Sequence, residues 1–124
     1  MRQLLYEEIT VKIRQAAYDV HHYFGNGFLE KVYENALAYK LLQSGLECKQ
    51  QTPLKVYFEK NVIVGEYYAD IIVEDKIILE LKAIENLDRI HFAQVKNYLK
   101  ATKFKLGILI NFGKSILEFK RIIL

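Results

Sequence analysis

Three charged side chains lie inside the most apolar, strand-prone stretches of the sequence. Asp70 interrupts the segment YYADIIV, and Glu80 and Lys82 interrupt the segment IILELKA. If these stretches form an antiparallel hairpin with Asp75 at the centre of its turn, Asp70 lies directly opposite Glu80, and directly paired residues share a face of the sheet. Lys82 lies on the same face, because side chains alternate with a period of two along a strand. The sequence therefore predicts two carboxylates and an ammonium at one spot.

This grouping is typical of a site for a hard metal ion. Two carboxylates paired across strands repel each other by roughly 3 kcal/mol at an effective dielectric of about 20, which is unfavourable for a purely structural pair. Mg²⁺ or Mn²⁺ binds such oxygen ligands and keeps several waters, so Asp70 and Glu80 are candidate ligands. Lys82 is then a candidate catalytic residue, able to orient a water or to stabilise charge on a phosphate. The alternative is a weak ion pair between Glu80 and Lys82 on a solvated sheet face.

Polar residues on two predicted helices are candidates to complete this site. Glu30 and Glu34 lie at positions i and i+4 on one flank of the second helix, and Glu30 borders its buried side. Gln94 lies on the inward face of the third helix, where an amide needs a polar partner. For the glutamates the alternative is a solvated surface position, and for Gln94 it is a structural amide that caps the sheet. His91, one turn before Gln94, is expected to be structural.

Four lysines on the third predicted helix and its exit are candidates for binding a phosphate backbone: Lys96, Lys100, Lys103 and Lys105. Lysines near phosphates supply much of the affinity of proteins for nucleic acids. The alternative is a solvated helix face without a binding role. The net charge of the chain is +3, a mild surplus, so the position of the charge matters more than its amount.

Length and composition predict a single compact domain over residues 1–124. The chain is 52% hydrophobic and 13% aromatic, which is enough for a core of its own. No apolar run approaches the roughly 20 residues of a membrane span, so we expect no membrane insertion. The single cysteine, Cys48, cannot form an internal disulfide, and this usage is typical of a reducing cytoplasm.

The spacing of apolar residues predicts an α+β order of helix, helix, antiparallel strands, helix, strand and strand. The inward face of the second helix is expected to include Leu29, and that of the third to include Ile90. Pro53 marks an edge or a break in the first strand region. The predicted helices are 4–24, about 28–43 and 87–101, and the predicted strands are 46–51, 54–58, 62–73, 77–83, 106–110 and 115–124.

The string GFLEKVY, residues 27–33, matches the G-x-x-E-x-x-Y signature of the GxxExxY proteins. Downstream, ADIIV, LELKA, AQVKNYLK and GILINFG resemble the other blocks of that family, so the resemblance runs from Gly25 to Phe119. The GxxExxY family is grouped with the PD-(D/E)XK nuclease superfamily. The resemblance implies one nuclease-like domain, an α/β sandwich with a restriction-endonuclease-like core, in which helices flank a mixed sheet with a three-stranded antiparallel meander.

Site residues follow from the resemblance position by position. The proline that the superfamily often carries before its aspartate is replaced by Ala69. Gln94 and Tyr98 resemble the Q-x-x-x-Y pair of exonuclease-like members. The resemblance implies Asp70, Glu80 and Glu30 as metal ligands, with Lys82 and Gln94 as further catalytic residues. Tyr98 is a predicted nucleic-acid contact, together with Lys96 and Lys100 of the lysine cluster.

The function that these observations predict is hydrolysis of DNA phosphodiester bonds by a nuclease that depends on Mg²⁺ or Mn²⁺. Its expected partner is nucleic acid, in the cytoplasm, and a domain of this size leaves room for a homodimer or a partner protein. The alternative is a non-catalytic module that keeps the nuclease fold to bind nucleic acid or another protein.

Overall fold

The computed structural model describes residues 4–124, and residues 1–3 of the predicted domain lie outside the described part. Three helices and five strands make up the fold. In chain order they are α1 (Glu7–Phe24), α2 (Glu30–Gln43), β1 (Cys48–Phe58), β2 (Val62–Val73), β3 (Ile77–Lys82), α3 (Arg89–Thr102), β4 (Leu106–Asn111) and β5 (Glu118–Ile123). In the described part of the chain, no helix has the length and apolarity needed to span a bilayer.

The five strands form one sheet with the order β1-β2-β3-β4-β5. β1, β2 and β3 form an antiparallel meander, β3 pairs with β4 in parallel, and β5 pairs with β4 antiparallel. A parallel pair needs a crossover connection, which α3 supplies. The predicted α+β arrangement, with a mixed sheet and a three-stranded meander, is confirmed.

Helices cover both faces of the sheet. α1 and α2 pack on one face through residues such as Ile13 and Leu37, and α3 packs on the other through Val95 and Leu99. Every residue of β4, and every residue of β3 except the half-buried Lys82, is buried. Strands buried on both faces read as nearly continuous apolar runs, as these two do. A charged residue in β3 therefore lies in the interior of the domain.

Two residues assigned to inward helical faces are exposed instead. α2 begins at Glu30, so Leu29 precedes the first turn and is 80% exposed. Ile90 lies in the first turn of α3 and is 72% exposed, whereas the buried residues of that helix begin at Val95. Both predictions are wrong for the same reason, because the apolar spacing continues into helix ends that face solvent.

β1 and β2 form a long two-stranded arm. Pro53 lies inside β1, which is one strand rather than the two predicted pieces, and β1 is at the edge of the sheet. An edge strand tolerates proline because a missing N–H there need not break a ladder. β2 pairs with β1 over most of its length but with β3 only through residues 71–73. The two strands therefore leave the rest of the sheet beside Asp70.

Candidate active site

The hairpin of β2 and β3 has the predicted register, but its ladder ends at the Ile71–Leu79 pair. Asp70, which the register would place opposite Glu80, does not continue the ladder. Its carboxylate is directed at β3 instead, and the N–H of Leu81 donates to Asp70 Oδ2 over 2.8 Å. This side chain accepts a hydrogen bond from a strand backbone, so it is fixed at the point where β2 and β3 separate.

Glu80 is a buried acid with few polar partners. It is 5% exposed, and its Oε2 lies 3.7 Å from Nζ of Lys82. Its Oε1 is buried and has no hydrogen-bond partner among the described residues. Burial raises the pKa of Glu80 to about 8, Asp70 adds to the rise and Lys82 opposes it. An unpaired buried acceptor destabilises the folded protein by about 1–3 kcal/mol. A ligand bound to Oε1 would remove this cost.

The backbone that carries Lys82 is held by the turn after β4. The N–H of Phe112 donates to the Lys82 carbonyl over 2.8 Å. Asn111 is fully buried, and its side chain accepts the Ile84 N–H at 3.1 Å and donates to the Ile84 carbonyl at 2.9 Å. A Cβ at Gly113 would collide with the backbone of Ile84. These contacts hold the end of β3 in place, and they give Asn111 and Gly113 of the GILINFG block a structural role.

Glu30 is placed by the loop between α1 and α2. The loop bends at Gly27, whose φ of +114° is readily adopted by glycine alone. The buried hydroxyl of Tyr33 donates to the Gly25 carbonyl and accepts the Phe28 N–H at 3.2 Å. The glycine and tyrosine of the G-x-x-E-x-x-Y string thus shape the loop, and Glu30 is the first residue of the helix that follows.

Glu30 also belongs to the charge cluster electrostatically. Although the residue is exposed overall, its carboxyl is partly shielded from water. Burial raises the pKa of Glu30, Lys82 opposes the rise and Asp70 adds to it. Burial likewise raises the pKa of Asp70, while the Leu81 N–H and the Gln51 amide oppose the rise. Raised pKa values at several neighbouring acids are typical of functional sites, although structural networks also produce them.

α3 brings Tyr98 and Gln94 to the same region. Tyr98 is buried, and its ring centroid lies 5.3 Å from that of Tyr67. Burial raises the pKa of Tyr98 to about 12, Glu80 and Asp70 add to the rise and the Gln94 side chain opposes it. The phenol therefore stays protonated at neutral pH and can donate a hydrogen bond. Because Tyr98 is only 4% exposed, little of its ring surface is open to base stacking.

The lysines predicted to contact nucleic acid lie on other parts of α3. Lys96 is exposed on the surface of the helix. Lys100 lines a groove at the end of α3, together with Phe104, Leu124 and further lysines, and no acid of the site lines that groove. The arrangement brings Glu30, Asp70, Glu80, Lys82, Gln94 and Tyr98 together, and it does not bring Lys96 or Lys100 to them.

Two polar residues support Asp70, Glu34 of α2 and Gln51 of β1, and only Glu34 was a sequence-based candidate for the site. Glu34 is 4% exposed, accepts hydrogen bonds from Nε2 of Gln50 and of Gln51 at 2.8 Å each, and pairs with Lys31 at 3.2 Å. The same Gln51 Nε2 donates to Asp70 Oδ1 at 3.1 Å. Local spacing predicts Glu34 only as an acid on a helix flank, because its partners lie in another element, β1.

The donor set of Asp70 and Glu80 fits a hard cation. Within residues 4–124, no group of three or more His, Cys, Asp or Glu side chains forms a ready-made metal cage. Mg²⁺ does not require one, since one or two carboxylates with several waters satisfy it. A cation would also give the buried Oε1 of Glu80 a bonding partner. Its positive charge would lower the pKa of both carboxyls.

Comparison with known proteins agrees with this architecture. The crystal structure of SSO0001 matches with a TM-score of 0.60 and 16% sequence identity, over 95% of this chain and 57% of that chain. At this identity the likeness shows the fold alone, and this chain spans little more than half of that protein. The predicted restriction-endonuclease-like fold is confirmed. No curated protein matches the sequence. A family model described as the PD-(D/E)XK nuclease superfamily matches residues 7–122, and the chain therefore belongs to that superfamily.

Proposed function

We propose that the protein is a metal-dependent nuclease that hydrolyses phosphodiester bonds of DNA. Asp70 and Glu80 would hold Mg²⁺ or Mn²⁺, with Glu30 at the margin of the same site. The observation that supports this most directly is the buried Oε1 of Glu80, which has no partner in the described part of the chain. A bound divalent cation would polarise a phosphate oxygen and acidify a water molecule.

Lys82 would assist the attacking water. Its ammonium lies 3.7 Å from Glu80 Oε2 and is mostly shielded from solvent, so its charge is weakly screened. An ammonium there can hold a water by a hydrogen bond, and it can stabilise the negative charge that grows on the phosphate. The clamped end of β3 keeps it in place.

α3 would supply the contacts to the substrate. The protonated hydroxyl of Tyr98 and the amide of Gln94 are neutral hydrogen-bond donors next to the carboxylates, which suits a phosphate oxygen. Lys96 would contact the phosphate backbone of the nucleic acid at a distance from the carboxylates. A role for Lys100 requires the nucleic acid to reach the end of α3. The G-x-x-E-x-x-Y string supports placing the chain in the GxxExxY family within the superfamily.

The test is cleavage of a panel of single-stranded and duplex DNA by the purified protein with Mg²⁺ or Mn²⁺. Lys82→Ala should lower the cleavage rate about 100-fold or more, as expected for loss of charge stabilisation in the reacting site. Lys49→Ala is the matched control, because Lys49 pairs with Asp75 at 3.5 Å on the surface, with both side chains largely exposed. This control should cleave at the wild-type rate.

Two results would contradict the proposal. Equal cleavage by Lys82→Ala and wild type would remove Lys82 from the reaction and would point to a contaminating nuclease. Binding of DNA or of a protein partner, without cleavage under any metal condition, would favour the non-catalytic module.

A further inference from the structure

The pairing of β1 with β2 is interrupted at two positions, one between Val56 and Tyr57 and the other at Gln51, which faces Asp70. Gln50 pairs with Ile71 and Thr52 pairs with Ala69, but no pair is formed between them. Gln51 has a φ of +50°, a left-handed conformation that is uncommon for a residue with a side chain and unusual inside a strand. Backbone conformations of this kind persist only where the surrounding contacts hold them, and they cluster at functional sites.

Both strands change the face that they bury at this interruption. Ile71 and Val73 pack with α1 and α2, whereas Ala69, which an uninterrupted strand would direct to the same side, packs with α3. On β1, Gln50 contacts α2 and Leu54 packs with α3. The left-handed residue therefore rotates the arm, and Asp70 lies at the point of rotation, where its carboxylate can be directed between β2 and β3.

The side chain of Gln51 joins two acids. Its Nε2 donates one hydrogen bond to Glu34 Oε1 at 2.8 Å and another to Asp70 Oδ1 at 3.1 Å. An amide has two N–H groups on its nitrogen and none on its oxygen, so only one orientation of the Gln51 amide satisfies both carboxylates. Glu34 cannot shift easily, because it is buried and also held by Gln50 and Lys31.

We propose that Gln51 is a positioning residue, which anchors the metal-binding carboxylate of Asp70 to the buried Glu34. This inference rests on the proposed function, since it assigns to Asp70 the role of a metal ligand. With Oδ1 held by Gln51 and Oδ2 held by the Leu81 N–H, the plane of the carboxylate is fixed before a metal arrives. Such supporting contacts to ligating carboxylates commonly change metal affinity by about 10- to 100-fold.

The experiment compares Mn²⁺ affinity of the purified protein, by isothermal titration calorimetry, in three variants. Gln51→Ala removes the amide. Gln51→Gly also removes it, but glycine adopts a positive φ without strain, so this variant keeps the bend of β1. Gln43→Ala is the matched control, because Gln43 is an exposed glutamine at the end of α2 whose amide donates to Tyr39 and to no acid of the site. Both Gln51 variants should bind Mn²⁺ about 10- to 100-fold more weakly than wild type, and the control should match wild type.

Each other result overturns the inference in a recognisable way. Wild-type affinity in both Gln51 variants would exclude a positioning role while leaving the nuclease proposal intact. Wild-type affinity in Gln51→Gly with a loss in Gln51→Ala would assign the effect to the backbone bend rather than to the amide. Failure of the wild-type protein itself to bind Mn²⁺ would overturn both this inference and the proposed function.

Discussion

Two buried glutamates lie on either side of Asp70, and they differ in their partners rather than in their burial. Glu34 is 4% exposed and Glu80 is 5% exposed. Glu34 receives hydrogen bonds from two amides at 2.8 Å and an ammonium at 3.2 Å. Glu80 has an ammonium at 3.7 Å, and its Oε1 has no partner within residues 4–124. The two glutamates are therefore equally buried but have different polar partners.

This difference is the one expected between a structural acid, Glu34, and the proposed metal-binding acid, Glu80. A buried carboxylate surrounded by donors is stable in its charged form, because the donors replace the water that burial removes. A buried carboxylate without such donors is held in place by the fold at a cost, and its pKa rises, as that of Glu80 does to about 8. Asp70 connects the two, since Gln51 ties it to Glu34 while the charge of Asp70 raises the pKa of Glu80.

The largest expected effect concerns metal binding. Glu80→Gln should weaken Mn²⁺ binding by more than the roughly 10- to 100-fold typical of a residue that only supports a ligand, because it removes a carboxylate that is proposed to bind the metal directly. Glu34→Gln should stay within or below that range, since it acts through Gln51. Titration of both variants with Mn²⁺ measures the contrast. Equal losses would mean that the two glutamates do not divide into a ligand and a support.

The next effect concerns the stability of the metal-free protein as a function of pH. Glu80 binds its proton more tightly in the folded protein, with a pKa of about 8 instead of 4.5. The free energy of unfolding should therefore decrease as the pH rises from about 4.5 to about 8. At roughly 1.4 kcal/mol per pKa unit the loss is on the order of a few kcal/mol. Urea unfolding in the presence of EDTA across this range measures it.

Glu80→Gln is the control for this pH dependence. The amide is neutral at every pH, so the variant should lose most of the decrease and should be more stable than wild type at pH 8. Addition of Mn²⁺ should stabilise wild type at that pH and have little effect on the variant. A slope as steep in the variant as in wild type would place the responsible group elsewhere.

The charged residues of the site could be predicted because they interrupt regular patterns. Asp70, Glu80 and Lys82 stand out against apolar strands, and the turn at Asp75 sets the register that the structure has. His91 has the predicted structural role, since its Nδ1 accepts the Asp88 N–H at 2.8 Å at the start of α3. The two-residue period of strands and the three-to-four-residue spacing of helices therefore predict most of the fold. Interruptions of the strand pattern predict the acids Asp70 and Glu80.

The supporting residues could not be predicted, because they depend on contacts between distant elements. The burial of Glu34 requires amides from β1, and local spacing alone is equally compatible with a solvated acid. The left-handed conformation of Gln51 has no sequence signal, since glycine or asparagine is usual at such a position. The end of the β2–β3 ladder follows from that bend. The predicted inward faces of α2 and α3 included Leu29 and Ile90, and both of these apolar residues face solvent.

The smallest expected effect tests whether Glu34 depends on its ammonium. Lys31 is 60% exposed at its side chain, so its pair with Glu34 is partly screened by solvent. Lys31→Ala should therefore lower the free energy of unfolding by less than about 1 kcal/mol, the usual range for an exposed ion pair. The amides of Gln50 and Gln51 still satisfy Glu34 in this variant. Urea unfolding at pH 7 measures the change, and a loss above about 2 kcal/mol would exceed that range. Glu34 would then need a cation, as is proposed for Glu80, and the contrast between a structural glutamate and a metal-binding glutamate would not hold.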